Sequence, residues 1–152
     1  MLGIGTDADE EEAFHYAYSA AVQGHVEAEA LVGRMYERGT GTERSYMQAL
    51  KWYSLASVGG SREARTALGR MYMTGTGTSI SYKKAAFLFE KAAAQGSGEA
   101  AYCLGYLYEN GLGVDMSLEK ALRLYRKAKR KKYPFESDNE QAIERVKALL
   151  KG

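Results

Sequence analysis

A period of 36 residues constrains this chain more than any other feature: Gly33, Gly69 and Gly105 are 36 residues apart, each followed three residues later by Tyr36, Tyr72 or Tyr108. The register runs without insertion through Gly39-Thr40-Gly41-Thr42, Gly75-Thr76-Gly77-Thr78 and Gly111-Leu112-Gly113-Val114. Ser45, Ser81 and Ser117 follow, then Ala49, Ala85 and Ala121, and Ala56, Ala92 and Ala128. A repeat of this length is one small supersecondary unit that buries its apolar face only against its neighbours, so the chain must stack its copies.

Each copy reads as two helices. Ala28, Leu31, Val32, Met35 and Tyr36 share one face of a helix with a period of about 3.6 residues. The same face returns as Ala64, Ala67, Leu68, Met71 and Tyr72, and as Ala100, Cys103, Leu104, Leu107 and Tyr108. The second helix carries Ala49, Trp52, Tyr53 and Ala56, then Ala85, Leu88, Phe89 and Ala92, then Ala121, Leu124, Tyr125 and Ala128. Gly39, Gly75 and Gly111 sit where a helix ends most cheaply, at positive φ. Ser45, Ser81 and Ser117 sit where a hydroxyl caps the next one. Gly33, Gly69 and Gly105 lie inside the first helix, where glycine costs about 1 kcal/mol against alanine. Two helices in close approach would compensate.

Subtracting the period places Gly39 at Gly3, Gly41 at Gly5, Thr42 at Thr6, Ser45 at Asp9 and Ala49 at Ala13. The expectation is a half repeat over 3–24, a loop and second helix whose face of Ala13, Tyr16, Ala17, Ala20 and Ala21 lacks its covering first helix. Repeats then span 25–60, 61–96 and 97–132. At the other end Lys132 replaces the recurring glycine, and Glu136 and Glu140 fall on core columns. After Pro134, Ser137-Asp138-Asn139-Glu140 has the form of a capping box. It leads into a final helix, 135–151, with Ala142, Ile143, Val146, Leu149 and Leu150 along one side. Stacked repeats need such a cap, and 1–152 reads as a single all-α domain.

Composition removes several function classes. With 21 basic against 19 acidic residues, no overall field singles out nucleic acid or an anionic membrane. Cys103 is the only cysteine, which excludes an internal disulfide and any paired-cysteine metal or redox site. His15 and His25 lack zinc spacing, so neither a metal nor a cofactor is expected. The Gly-x-Gly pairs follow helices rather than a strand, which is not a dinucleotide fingerprint, and no phosphate-binding loop or nucleophile elbow is present. The acidic run Asp7-Ala8-Asp9-Glu10-Glu11-Glu12 and the basic cluster of Arg126, Lys127, Lys129, Arg130, Lys131 and Lys132 both match the helix dipole. No apolar run is long enough to cross a bilayer, and the N-terminus has no secretory layout. A soluble, cytoplasmic chain is the expectation, with the compartment open because a targeting segment can precede residue 1.

Residues 64–96 (ARTALGRMYMTGTGTSISYKKAAFLFEKAAAQG) and 100–128 (AAYCLGYLYENGLGVDMSLEKALRLYRKA) resemble the Sel-one-like repeat, a relative of the tetratricopeptide repeat. The likeness covers residues 3 to about 132 and rests on Ala…Leu-Gly-x-x-Tyr-x-x-Gly-x-Gly, then Lys-Ala, an aromatic pair and a double alanine closing in glycine. Serine stands at 45, 81 and 117 where the family often carries aspartate, a swap between two good caps. The resemblance implies a right-handed α-α superhelix, or solenoid, with a concave groove. It also implies a non-enzymatic adaptor or scaffold role in signalling, protein quality control or host–bacterium contact. Cysteine-rich bacterial relatives described as hydrolases carry paired cysteines that this chain lacks.

Relatives line the groove with non-core positions of the first helices, here Glu27, Ala30, Arg34 and Glu37, then Glu63, Thr66, Arg70 and Met73, then Glu99, Tyr102, Tyr106 and Glu109. Two guanidinium forks, Arg34 and Arg70, stand one repeat apart and suit a carboxylate of a partner peptide. Tyr102 and Tyr106 offer an aromatic shelf. A plainer arrangement pairs the arginines with Glu27, Glu63 or Glu37. The partner expected is a protein or peptide, not nucleic acid or an inserted membrane. The uncovered N-terminal face leaves self-association, or membership of a longer array, as the alternative.

Overall fold

The computed structural model describes residues 2–133 and 136–152, with side chains for 8–133 and 137–152. Among these it contains eight α-helices and no strand: α1 Leu2–Val22, α2 Val26–Arg38, α3 Tyr46–Val58, α4 Arg62–Thr74, α5 Tyr82–Ala94, α6 Gly98–Asn110, α7 Leu118–Arg130 and α8 Glu136–Lys151. The pairs α2/α3, α4/α5 and α6/α7 are the three units, and each packs on the next in chain order. Four apolar clusters form a continuous line: one around Phe14, Val32 and Trp52, one around Tyr53 and Met71, one around Phe89 and Leu107, and one around Tyr125, Ile143 and Val146.

The punctuation falls where residue chemistry placed it. Gly39, Gly75 and Gly111 end α2, α4 and α6 at φ of 70°, 71° and 63°. Ser45, Ser81 and Ser117 cap α3, α5 and α7, each hydroxyl accepting a backbone N–H three residues on. Ser61 and Ser97 cap α4 and α6 in the same way, while His25 in that column makes no side-chain cap bond. The glycines inside the first helices mark a close approach. A Cβ at Gly69 would lie 2.7 Å from Phe89 Cε1, and one at Gly33 would lie 2.8 Å from Tyr53 Cδ1. Each unit closes only because the first helix shows bare backbone to an aromatic ring of the second.

Three end features differ from expectation. The loop expected over Gly3–Thr6 is instead the first turns of α1. The corresponding Gly41 loop holds its shape by lying on the preceding helix, where a Cβ would strike the backbone at Glu10, and Gly77 lies likewise on Tyr46. On α1 the buried residues are Phe14, Ala17 and Ala21, while Ala13 is exposed and Tyr16 is 70% exposed. Only the side of α1 facing α2 is covered. Finally, α8 begins at Glu136, so Ser137 lies inside the helix rather than at its cap. Asn139 takes the anchoring role, its buried amide donating to the Tyr133 carbonyl. Ala142, Ile143 and Val146 are buried as expected, but Leu149 and Leu150 are exposed. Pro134 and the side chains of Asp7 and Glu136 lie outside the described residues.

At Lys132 the departure is chemical, not geometric. Gly24, Gly60 and Gly96 close their units at φ of 89°, 94° and 97°, and Lys132 keeps the left-handed region at φ 59°. The bond from the Tyr133 N–H to the Ala128 carbonyl repeats those from Ser61 to Ala56 and from Ser97 to Ala92. The turn outlasts its glycine.

Candidate binding groove

Across units, α2 touches α4 and α4 touches α6, whereas the second helices α3, α5 and α7 make no comparable direct contact with one another. The first helices therefore lie on the inside of the curve, and their non-core side chains share one surface. Position by position, the arginines on it meet glutamates of the next unit. Arg34 Nη1 donates to Glu63 Oε1 at 2.9 Å, and Arg70 Nη1 donates to Glu99 Oε1 at 2.7 Å, the same step of 29 residues in each case. Arg70 also reaches back to Glu37, with Nη2 3.3 Å from Oε2. The plainer arrangement is thus the one found, with Glu99 as a partner the sequence reading did not name and Glu27 outside the network. Burial of Arg70 works against its charge, but Glu99 and Glu37 outweigh that and raise its pKa.

Glu37 is held from a second side. The Tyr53 hydroxyl donates to its Oε1 at 2.8 Å, and burial together with this carboxylate pushes the Tyr53 phenol well above the usual tyrosine range. In the third unit the charge of Glu109 acts on the Tyr125 phenol, and Arg145 of α8 grips Glu109 through Nε at 2.9 Å and Nη2 at 2.8 Å. Arg145 does for Glu109 what Arg70 does for Glu37. In the second unit the acid and the hydroxyl are lost together, as Met73 and Phe89. That matched exchange inside one chain is the signal that ties Glu37 to Tyr53.

Two hollows result. One, of about 380 Å³, is lined by Arg34, Glu37, Glu63, Thr66, Arg70 and Glu99 among others. The other, of about 480 Å³, is lined by Met73, Thr74, Tyr82, Tyr102, Cys103 and Tyr106. The structure thus gathers Arg34, Glu37, Thr66 and Arg70 at one place and Met73, Tyr102 and Tyr106 at another, and ties Glu109 to the cap. Thr66 is buried rather than presented, its hydroxyl donating to the Arg62 carbonyl at 2.9 Å and meeting Ser97 Oγ at 3.0 Å. Ala30 is buried too. Tyr102 packs on Tyr125 and Tyr133, with ring centroids 5.2 and 6.0 Å away, while Tyr106 stands more open at 45% exposure. Burial, with a smaller contribution from Glu99, pushes the Cys103 thiol up to about 12, which is the reverse of what a reactive thiolate needs. Among the described residues no group of three histidines, cysteines or carboxylates could hold a metal ion, and no helix is long and apolar enough to cross a membrane.

Stacked helix pairs with a shared inner surface define an α-solenoid of repeats. The chain belongs to the Sel1 repeat family, whose model matches residues 1–25, 26–60, 62–97 and 98–133. Among solved structures it is similar to a protective antigen of uropathogenic Escherichia coli strains displaying an SLR fold, at 31% identity and TM-score 0.76 over 79% of this chain and 26% of that one. A Sel1 repeat protein from Oxalobacter formigenes matches at 28% identity and TM-score 0.80, over 93% of this chain and 55% of that one. This chain therefore spans well under two thirds of either protein. Cysteine rich protein B of Helicobacter pylori shares the fold at 22% identity and TM-score 0.64, over 82% and 90% of the two chains. No curated protein matches the sequence. Sel1 repeat proteins are generally protein-interaction modules and are typically non-enzymatic scaffolds.

Proposed function

We propose that the chain is a scaffold or adaptor that docks a segment of a partner protein along the inner faces of α2, α4 and α6. Arg34 and Arg70 receive the acidic part of that segment, and Met73, Tyr102 and Tyr106 receive an apolar part. One observation carries this reading: Arg34 uses only Nη1 on Glu63, and among the described residues its Nε and Nη2 have no acceptor, beside a hollow that also holds Arg70. Both guanidinium groups remain more than a third exposed, so a partner carboxylate reaches them without breaking the fold. Charge-assisted forks of this kind fix the orientation of a bound carboxylate. Glu37, paired with Arg70, lies at the same hollow.

Panning a displayed library of random 12-residue peptides against the whole chain tests it. Selected peptides should lose binding to Arg34→Ala/Arg70→Ala and to Tyr106→Ala. Peptides that bind both variants as tightly as the parent would refute the groove. The open face of α1 favours a second reading, in which this unit joins further repeats or another copy: Ala13 and Tyr16 occupy the columns of the buried Ala49 and Trp52. Light scattering that shows a monomer at high concentration would remove self-association.

A further inference from the structure

Leu68 and Tyr72 lie on the side of α4 opposite Thr66 and Arg70, since residues two and six places on fall roughly half a turn round the helix. There they border a third hollow, of about 480 Å³, with Leu88, Phe87, Lys83 and Lys84 of α5. Its size falls within the roughly 300–1,000 Å³ of ligand clefts. Three observations separate it from ordinary surface. Phe87 is 59% exposed, in a column where the first and third units carry Lys51 and Arg123. Leu88 stands where the first unit carries the larger Trp52. Lys91 Nζ lies 4.5 Å from the ring centroid of Phe87, beside a Lys84–Tyr72 stacking that Lys120 and Tyr108 repeat in the third unit.

The charge balance here is unlike that of the groove. There Arg34 and Arg70 are each matched by glutamates, whereas no ion pair among the described residues engages Lys83, Lys84 or Lys91. Glu90 is the acid nearest in sequence on α5, and it makes no such pair. An apolar slot rimmed by unmatched ammonium groups complements an apolar side chain flanked by carboxylates. We propose that this slot is a second docking surface, independent of the groove, which takes a leucine or phenylalanine of an acidic partner segment, with Asp or Glu on either side meeting Lys83, Lys84 and Lys91. Aromatic anchors in such slots carry most of an interface's energy, while the charges set orientation and rate of encounter.

Fluorescence anisotropy tests this with the full chain and a labelled 12-residue peptide library bearing one central Leu or Phe flanked by Asp and Glu. Controls replace the central residue by Ser, or the acids by Lys. Phe87→Arg is the diagnostic variant, because the third unit already folds with arginine in that column. The expected result is saturable binding of the acidic apolar peptides, weakened on the order of tenfold or more by Phe87→Arg and by Lys83→Glu/Lys84→Glu. Arg34→Ala/Arg70→Ala should leave it unchanged, which separates this surface from the groove. The proposal is overturned if no such peptide binds, if the Ser control binds equally, or if Phe87→Arg has no effect. It is also overturned if Phe87 proves necessary only for pelleting with phosphatidylserine vesicles, which would make the slot a lipid contact.

Discussion

Gly69→Ala sets helix propensity against packing, and the geometry says which wins. Alanine inside a helix is favoured over glycine by about 1 kcal/mol. Against that, the new Cβ would sit 2.7 Å from Phe89 Cε1 and 2.8 Å from Cδ1. That is roughly 0.8 Å short of the ~3.5 Å at which carbons rest. Phe89 is fully buried in the cluster with Ala92, Leu104 and Leu107, so its ring has nowhere to retreat. Overpacking of this kind costs about 1–3 kcal/mol, and the tight setting points to the upper end. The net expectation is destabilisation by about 1–2 kcal/mol, or a melting temperature lower by roughly 3–6 °C for a chain of this size. Urea denaturation with an unchanged slope measures it. Phe89→Leu should cost less in the Gly69→Ala background than alone, because the smaller side chain relieves the overlap. Gly105→Ala should be milder, since its nearest ring carbon lies 3.0 Å away. If Gly69→Ala stabilises the protein by about 1 kcal/mol, the close approach of the paired helices is not what the glycine serves.

Three further outcomes are expected. Lys132 holds φ at 59°, a conformation that costs a side-chain-bearing residue about 1–2 kcal/mol, so after the entropic cost of glycine Lys132→Gly should gain roughly 0.5–1 kcal/mol by denaturation; a loss would show that the lysine side chain supports the turn. The Cys103 thiol, moved by burial from 9.0 to about 12, should react with a disulfide reagent at pH 8 on the order of a thousandfold more slowly than in the urea-unfolded chain. Because its folded pKa is raised, its contribution to stability is complete below about pH 9 and lost as pH rises toward 12, so a stability maximum above pH 10 would contradict the assignment. Tyr53→Phe should cost about 1 kcal/mol by removing the bond to Glu37, and Glu37→Met/Tyr53→Phe should cost less than the sum of its parts, since the second unit already combines Met73 with Phe89; strict additivity would show that the two do not act together.

The repeat made the helices legible because one register fixes both apolar faces and the caps at Ser45, Ser81 and Ser117, and the core residues named from it in α2 to α7 are buried or half-buried. The caps at Ser61 and Ser97 were equally local but hidden, because the first unit has His25 in their column. The ends depart from the register: Gly3 and Gly5 lie in the first turns of α1 instead of a loop, and the N-terminal signature at Ser137 does not outweigh the anchoring of Asn139. In the groove, spacing placed Arg34, Arg70 and Tyr106 on the inner side shared by α2, α4 and α6, where Arg34 and Arg70 line one hollow and Tyr106 another. It offered Glu63 and Glu37 as partners for the arginines but not Glu99, because which glutamate each arginine meets depends on how far one unit rotates against the next. Arg145 was out of reach for the same reason, as α8 leaves the register. Thr66 was assigned outward although its side chain turns to Ser97, a difference of part of a turn that periodicity does not resolve.

The central claim is that the inner faces of α2, α4 and α6 form the partner surface. Amide chemical-shift mapping of the labelled chain with a peptide selected on it tests this most directly. The account predicts perturbations concentrated at Arg34, Glu37, Arg70, Met73, Tyr102 and Tyr106, suppressed in Arg34→Ala/Arg70→Ala. Shifts confined to the outer helices α3, α5 and α7, with those six positions unmoved, would contradict it.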